Sequence, residues 1–119
     1  PPRSTLFPYT TLFRSDCHPA VVMDCVSFYT MFYTKPHGRN IIQICQTLSC
    51  SLNGADELVD HVTDKYKIKP GETTADDQFT LMKVECLGSC GTAPVVQMNK
   101  EYHESLTKQK FDELLAEFE

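Results

Sequence analysis

Four of the six cysteines fall into two spaced pairs. Cys45-QTLS-Cys50 is C-x4-C and Cys86-LGS-Cys90 is C-x3-C, with thirty-five residues between the pairs. Thiolates are soft ligands, and four of them suit tetrahedral zinc or an iron–sulfur cluster. Structural zinc often uses tight C-x2-C knuckles at both ends, and neither pair has that spacing. A two-iron cluster takes one cysteine pair on each iron, so longer loops fit it more comfortably. Gly88 lies inside the second pair and Gly91 directly follows it. They let the backbone pass close to inorganic sulfur, and their N–H groups are expected donors to it. Pro94 stiffens the exit from this loop. Disulfides, or cysteines packed as small apolar residues, are the plain alternatives to a metal site. Cys17 and Cys25 have no paired spacing; Cys25 reads as core and Cys17 as incidental.

The elements around the cysteines follow from periodicity. IIQIC (41–45) is an apolar run suited to a buried strand, and FTLMKVEC (79–86) reads as a second strand. If those strands are neighbours, the loops after them emerge at one end of the sheet and the four thiolates converge. Ala55, Leu58, Val59, Val62 and Tyr66 form an apolar stripe opposite Asp56, Glu57, Asp60 and Asp64, which predicts a helix capped by Ser51 or Asn53. KPGETTADDQ (69–78) is a turn-rich connection in which Asp76-Asp77 occupies a turn where glycine would be more comfortable. VVQMNKEYHESL (95–106) reads as a hairpin turning at Asn99-Lys100. TKQKFDELLAEF (107–118) reads as a helix capped by Thr107, burying Phe111, Leu114, Leu115 and Phe118. Residues 20–33 place Val22, Cys25, Val26, Tyr29 and Tyr33 at helical spacing, and TKPHGRN (34–40) is a loop. The order predicts an α/β fold: a mixed sheet of about four strands with helices packed on it, compatible with a thioredoxin-like topology.

The opening segment stands apart. PPRSTLFPYTTLFRS (1–15) has no acidic residue, three prolines and an internal echo, STLF then TTLF. Its prolines break an amphipathic targeting helix, and its apolar runs are too short for a signal peptide. All fifteen residues look like the translation of a common short-read sequencing adapter. Residues 1–15 are therefore read as an artefact outside the fold, with the natural start missing. Residues 16–39 read as the remnant of an N-terminal helical region and linker, and 40–119 as the main domain.

Eleven Lys and Arg against 16 Asp and Glu give a formal charge of −5, which becomes −7 without Arg3 and Arg14. An acidic chain with no Lys/Arg cluster argues against nucleic acid and anionic membrane surfaces. No run approaches the length of a transmembrane helix. His18, His37, His61 and His103 are scattered and read as surface residues; a Rieske-type site would need two beside the cysteines. Ser49 and Ser89 lie between cysteines, where they suit tight turns or donate to sulfur. A thioredoxin-type redox enzyme needs a reactive C-x-x-C pair, and none is present. No nucleotide loop is visible and no catalytic residue is assigned.

The cysteine pattern together with CLGSCGTAP resembles the thioredoxin-like [2Fe-2S] ferredoxin family. Within it, the likeness is to the small iron–sulfur subunits of NADH-quinone oxidoreductases. VSFYTMFYTKP (26–36), CQTLSCSLNGADEL (45–58), IKPGETTADDQFTLMKVECLGSCGTAPVVQMN (68–99) and LTKQKFDELL carry the resemblance, which spans residues 20–118. It implies a [2Fe-2S] cluster held by Cys45 and Cys50 on one iron and by Cys86 and Cys90 on the other. It implies a role as an electron-transfer subunit that docks on the flavin-bearing, NADH-binding subunit and exchanges electrons with its FMN. NADH and FMN would then bind the partner. The implied location is cytoplasmic, peripheral to the inner membrane through the complex, or the mitochondrial matrix in a eukaryote. The same module serves NAD-dependent hydrogenases and formate dehydrogenases. A structural zinc-binding assembly module is the alternative of a different class.

Overall fold

The computed structural model describes residues 16–119. The adapter reading of residues 1–15, and the expectation that they pack poorly, lie outside the described residues. The chain divides into two compact units, Pro1–His37 and Gly38–Glu119.

In the first unit, helix α1 runs Pro19–Phe28. Proline at its first position has no N–H to leave unsatisfied, and His18 caps it by accepting the Ala20 N–H on Nδ1 at 3.2 Å. The helix is shorter than the periodicity suggests, because Tyr29 already has extended backbone angles. Val22 and Val26, four residues apart, are its buried face. Cys25 is exposed, which corrects its reading as a core residue. The neighbouring position, Val26, faces inward and turns Cys25 away.

The second unit holds a four-stranded sheet in the order β2-β1-β3-β4. β1 is Asn40–Cys45, β2 Phe79–Val84, β3 Val96–Met98 and β4 Glu101–His103. β1 and β2 are parallel; β1/β3 and β3/β4 are antiparallel. Parallel neighbours need a crossover, and helices α2 (Leu48–Leu52) and α3 (Ala55–Tyr66) supply it. The register sets Ile42 beside Leu81 and Met98, and Ile44 beside Val96. These residues join Leu58, Val62, Phe111 and Leu115 in one hydrophobic core. The central strand β1 is buried along Ile41–Cys45, as expected for a strand with neighbours on both edges and a covered face.

Local chemistry explains the boundaries. Gly54, at φ +95°, is the N-cap of α3, in place of the predicted Ser51 or Asn53. The Ser51 hydroxyl instead donates to Asp56, and the Asn53 amide to the Ser49 carbonyl. Asp56 and Glu57 in the first turn and Lys65 in the last complement the helix dipole. The expected stripe is the one that packs: Ala55, Leu58, Val59 and Val62 are buried. Asp77 adopts φ +56°, the left-handed conformation its turn favours in glycine. The hairpin turns at Asn99-Lys100 as predicted, with Asn99 at φ +57°. Asn99 also pins the sheet, since its side chain accepts the Ile41 N–H and its own N–H donates to the Ile41 carbonyl, both at 2.9 Å.

Helix α4 (Lys108–Phe118) is capped by the Thr107 hydroxyl, which accepts the Lys110 N–H at 3.3 Å. Phe111, Leu114 and Leu115 are buried and Phe118 partly so. His61, predicted on the polar side of α3, bonds the Asp112 carboxylate at 2.8 Å and ties α3 to α4. That contact, first, and Lys65 after it hold the Asp112 carboxyl below its usual range. A depressed carboxyl contributes stability above the unfolded value, near pH ~4, that is lost as pH falls through the folded value. Asp112 is 44% exposed, so the effect is small. The urea midpoint of the native chain should therefore fall slightly faster below about pH 4 than that of Asp112→Asn. Parallel pH profiles for the two chains would show the pair contributes nothing.

Candidate functional site

Cys45 is the last residue of β1, and Cys86 lies two residues past the end of β2. The strands run parallel with Cys45 opposite Val84, so both chains leave the sheet at the same end. Across that end, the Gln46 N–H donates to the Val84 carbonyl at 2.9 Å and the Gln46 side chain to Glu85 at 2.8 Å. Cys50 does not lie in a loop; it is the buried middle residue of α2. Cys90 opens a single 3₁₀ turn, Cys90–Thr92. The Ser49 hydroxyl donates to the Cys90 carbonyl at 2.8 Å and joins the two cysteine segments. The Ala93–Pro94 peptide is cis, and Pro94 leads into β3.

The pairs differ in exposure. Cys45 and Cys50 are each 1% exposed, while Cys86 and Cys90 are open to solvent. All four are free thiols. Cys86 and Cys90 place their sulfurs 3.5 Å apart. Among the described residues, no three Cys, His, Asp or Glu side chains close on one point as ligands of a single ion.

Backbone and hydroxyl donors are already aimed at sulfur. Burial alone would push the Cys45 thiol up. The Thr47 hydroxyl, the N–H groups of Thr47 and Leu87, and the Cys50 thiol outweigh it, holding Cys45 below its ordinary value. Burial pushes Cys50 up, reinforced by Cys45 and opposed by the Val95 N–H. The Gly88 N–H, 3.3 Å from Cys86 Sγ, leads the effects that lower Cys86, and Cys86 in turn raises Cys90. In each pair the first cysteine is thus held below its ordinary value and the second above it. Cys45 also bears electrostatically on Cys86 and Cys90, and Cys90 on Cys50, so the four form one electrostatic unit. A thiolate set with N–H donors in place fits an iron–sulfur group, whose sulfurs need charge stabilisation.

Gly88 sits at φ +81° and its N–H donates to Cys86 Sγ. A Cβ at either Gly88 or Gly91 would meet open space. Neither inter-cysteine serine bonds sulfur. Ser49 reaches the Cys90 carbonyl, and Ser89 donates to the Glu104 carboxylate at 2.6 Å. The residue that sequence reasoning missed is Thr47, whose Oγ1 lies 3.1 Å from Cys45 Sγ. Its position inside the C-x4-C pair was the available signal. His18, His37, His61 and His103 form no ligand group with the cysteines among the described residues.

The chain is 50% identical over 99 residues to NADH-quinone oxidoreductase subunit 2 of Thermus thermophilus, a match covering 82% of this chain and 55% of that one. It is 45% identical over 92 residues to an NADH-quinone oxidoreductase subunit of Rickettsia bellii, covering 77% and 55%. The chain thus spans about half the length of the curated relatives it matches. Among solved structures, an NAD+-reducing [NiFe]-hydrogenase contains a region that superposes with a TM-score of 0.78 at 23% identity, over 92% of this chain and 19% of that one. A thioredoxin-like [2Fe-2S] ferredoxin from Aquifex aeolicus superposes at 0.51 with 14% identity, over 67% of this chain and 78% of that one. These two likenesses concern the fold alone. The family profile of the thioredoxin-like [2Fe-2S] ferredoxins matches residues 14–119. Since that match runs through both cysteine pairs, the chain belongs to the thioredoxin-like [2Fe-2S] ferredoxin family, and a [2Fe-2S] cluster is its cofactor.

Proposed function

We propose that this chain is the electron-transfer subunit of an NADH-quinone oxidoreductase, exchanging electrons with the FMN of the NADH-binding partner subunit. Cys45 and Cys50 hold one iron, and Cys86 and Cys90 the other. The observation that carries this reading is the gathering of both pairs at one end of the parallel β1/β2 unit, one pair buried and the other exposed. The [2Fe-2S] group supplies one-electron transfer. The buried pair anchors it against the core, and the exposed pair leaves a short path to a docked partner. A binuclear group asks two thiolates of each iron, so no three ligands need share a centre. FMN and NADH belong to the partner. No described helix is long and apolar enough to cross a membrane; association with the inner membrane, on its cytoplasmic or matrix side, runs through the complex.

A place in an NAD-dependent hydrogenase or formate dehydrogenase is the weaker reading. Identity to the hydrogenase is 23%, against 50% to the Thermus subunit. The test is anaerobic reconstitution of the chain with iron and sulfide. About two irons and two acid-labile sulfides per chain, with a spin-one-half EPR signal on reduction, are the expected result. One tightly held zinc and no labile sulfide would replace electron transfer with a structural zinc module. Mixing the reconstituted chain with the flavin subunit and NADH then tests the partner. A cluster that stays oxidised there would remove the FMN assignment.

A further inference from the structure

Thr47 stands at the N-cap of α2, where a threonine hydroxyl ordinarily accepts a backbone N–H of the first turn. It makes no such bond. Its Oγ1 lies instead 3.1 Å from Cys45 Sγ. The other hydroxyls between the cysteines are engaged elsewhere, Ser49 on the Cys90 carbonyl and Ser89 on Glu104. Thr47 is half-buried, so bulk water competes poorly for its proton.

We infer that Thr47 is a positioning residue for the cluster, whose hydroxyl donates to ligand sulfur and raises the reduction potential. The inference rests on the four-cysteine ligation proposed above. A ligating thiolate carries no proton, so it can only accept and the hydroxyl must donate. The one hydroxyl proton then serves Cys45. Reduction adds negative charge that the ligand sulfurs share. A hydrogen bond to a more negative acceptor is stronger, so the donor stabilises the reduced form more than the oxidised one. The Gly88 N–H, 3.3 Å from Cys86 Sγ, acts in the same sense. Only the Thr47 hydroxyl can be deleted without touching the backbone.

The test compares the reconstituted full chain with Thr47→Val, which keeps the shape and loses the hydroxyl, and Thr47→Ser, which restores it. Each is titrated electrochemically with EPR detection, and iron and sulfide content are assayed in parallel. Thr47→Val is expected to titrate at a more negative potential, with the oxidised-to-reduced ratio at a fixed potential raised several-fold. A tenfold change corresponds to about 59 mV for a one-electron couple. Thr47→Ser should stay with the native chain, which a purely steric role for the side chain would not explain. Should the valine variant fail to load a cluster, Thr47→Ala provides the same comparison. Coincident titrations of the native chain and the hydroxyl-free variant, both fully loaded, would overturn the inference alone. A native chain that takes up no [2Fe-2S] cluster would overturn the ligation and the inference together.

Discussion

Cys45→Ala is expected to abolish cluster assembly, with iron and labile sulfide at background after the reconstitution that loads the native chain. Cys45 is central to the site. It ends β1, is 1% exposed, and its Sγ lies 3.1 Å from the Thr47 hydroxyl. Deletion leaves three thiolates and one iron short of a ligand. Alanine is the informative choice, because serine offers an oxygen in the same place. The loss should not come from unfolding. Removing one buried sulfur creates a cavity about the size of a methylene, at about 1 kcal/mol. Far-UV circular dichroism and a urea midpoint near the native value would establish that. Cys25→Ala serves as the control, since Cys25 is exposed on α1 and has no paired spacing. It should load like the native chain. Full loading of Cys45→Ala, or loss of loading in Cys25→Ala, would show that the ligand set has been misassigned.

Phe111→Ala should produce the largest loss of stability from a single change outside the site. Phe111 is fully buried, on the face of α4 that packs into the core with Ile42, Ile44, Leu81 and Val96. Its truncation removes aromatic burial and leaves a cavity lined by strand side chains, which costs about 3–5 kcal/mol. A small domain has about 5–15 kcal/mol in all, so the variant should be marginal. With a urea slope of about 1–3 kcal/mol/M, the midpoint should fall by more than about 1 M. Phe111→Leu keeps most of the volume and should cost less than the alanine change. A midpoint shift for Phe111→Ala corresponding to less than about 1 kcal/mol would mean that α4 does not support the core.

Much of this could be read before any tertiary structure, wherever the information was local. The apolar stripes of α3 and α4 are one-dimensional patterns, and a periodic pattern survives whichever neighbour covers it. The Thr107 cap and the Asn99-Lys100 turn each depend on a few adjacent residues. The unread features depend on distant ones. Gly54 displaced Ser51 as the cap of α3 because Ser51 meets Asp56, and Asp56 also meets Lys83 of β2. The five residues of α2 are too few to show a period, so a helix inside C-x4-C left no sequence trace. Cys25 and Val26 are adjacent and both apolar; only the packing of α1 decides which one is buried.

The two spaced cysteine pairs and the family were legible in the linear order of residues, because cysteine type and spacing along the chain set what chemistry is available. The α/β order was legible there too, because periodicity is a property of the chain. The burial of one cysteine pair and the exposure of the other emerge only on folding, as does the turning of the Gly88 N–H to sulfur. So does the departure of the Thr47 hydroxyl from its helix cap for Cys45. The physical reason is common to these cases. Even where the bonded groups are close in sequence, as Thr47 is to Cys45 and Gly88 to Cys86, burial and the path of each loop depend on the parallel pairing of β1 with β2, which also brings Ser49 onto the Cys90 carbonyl.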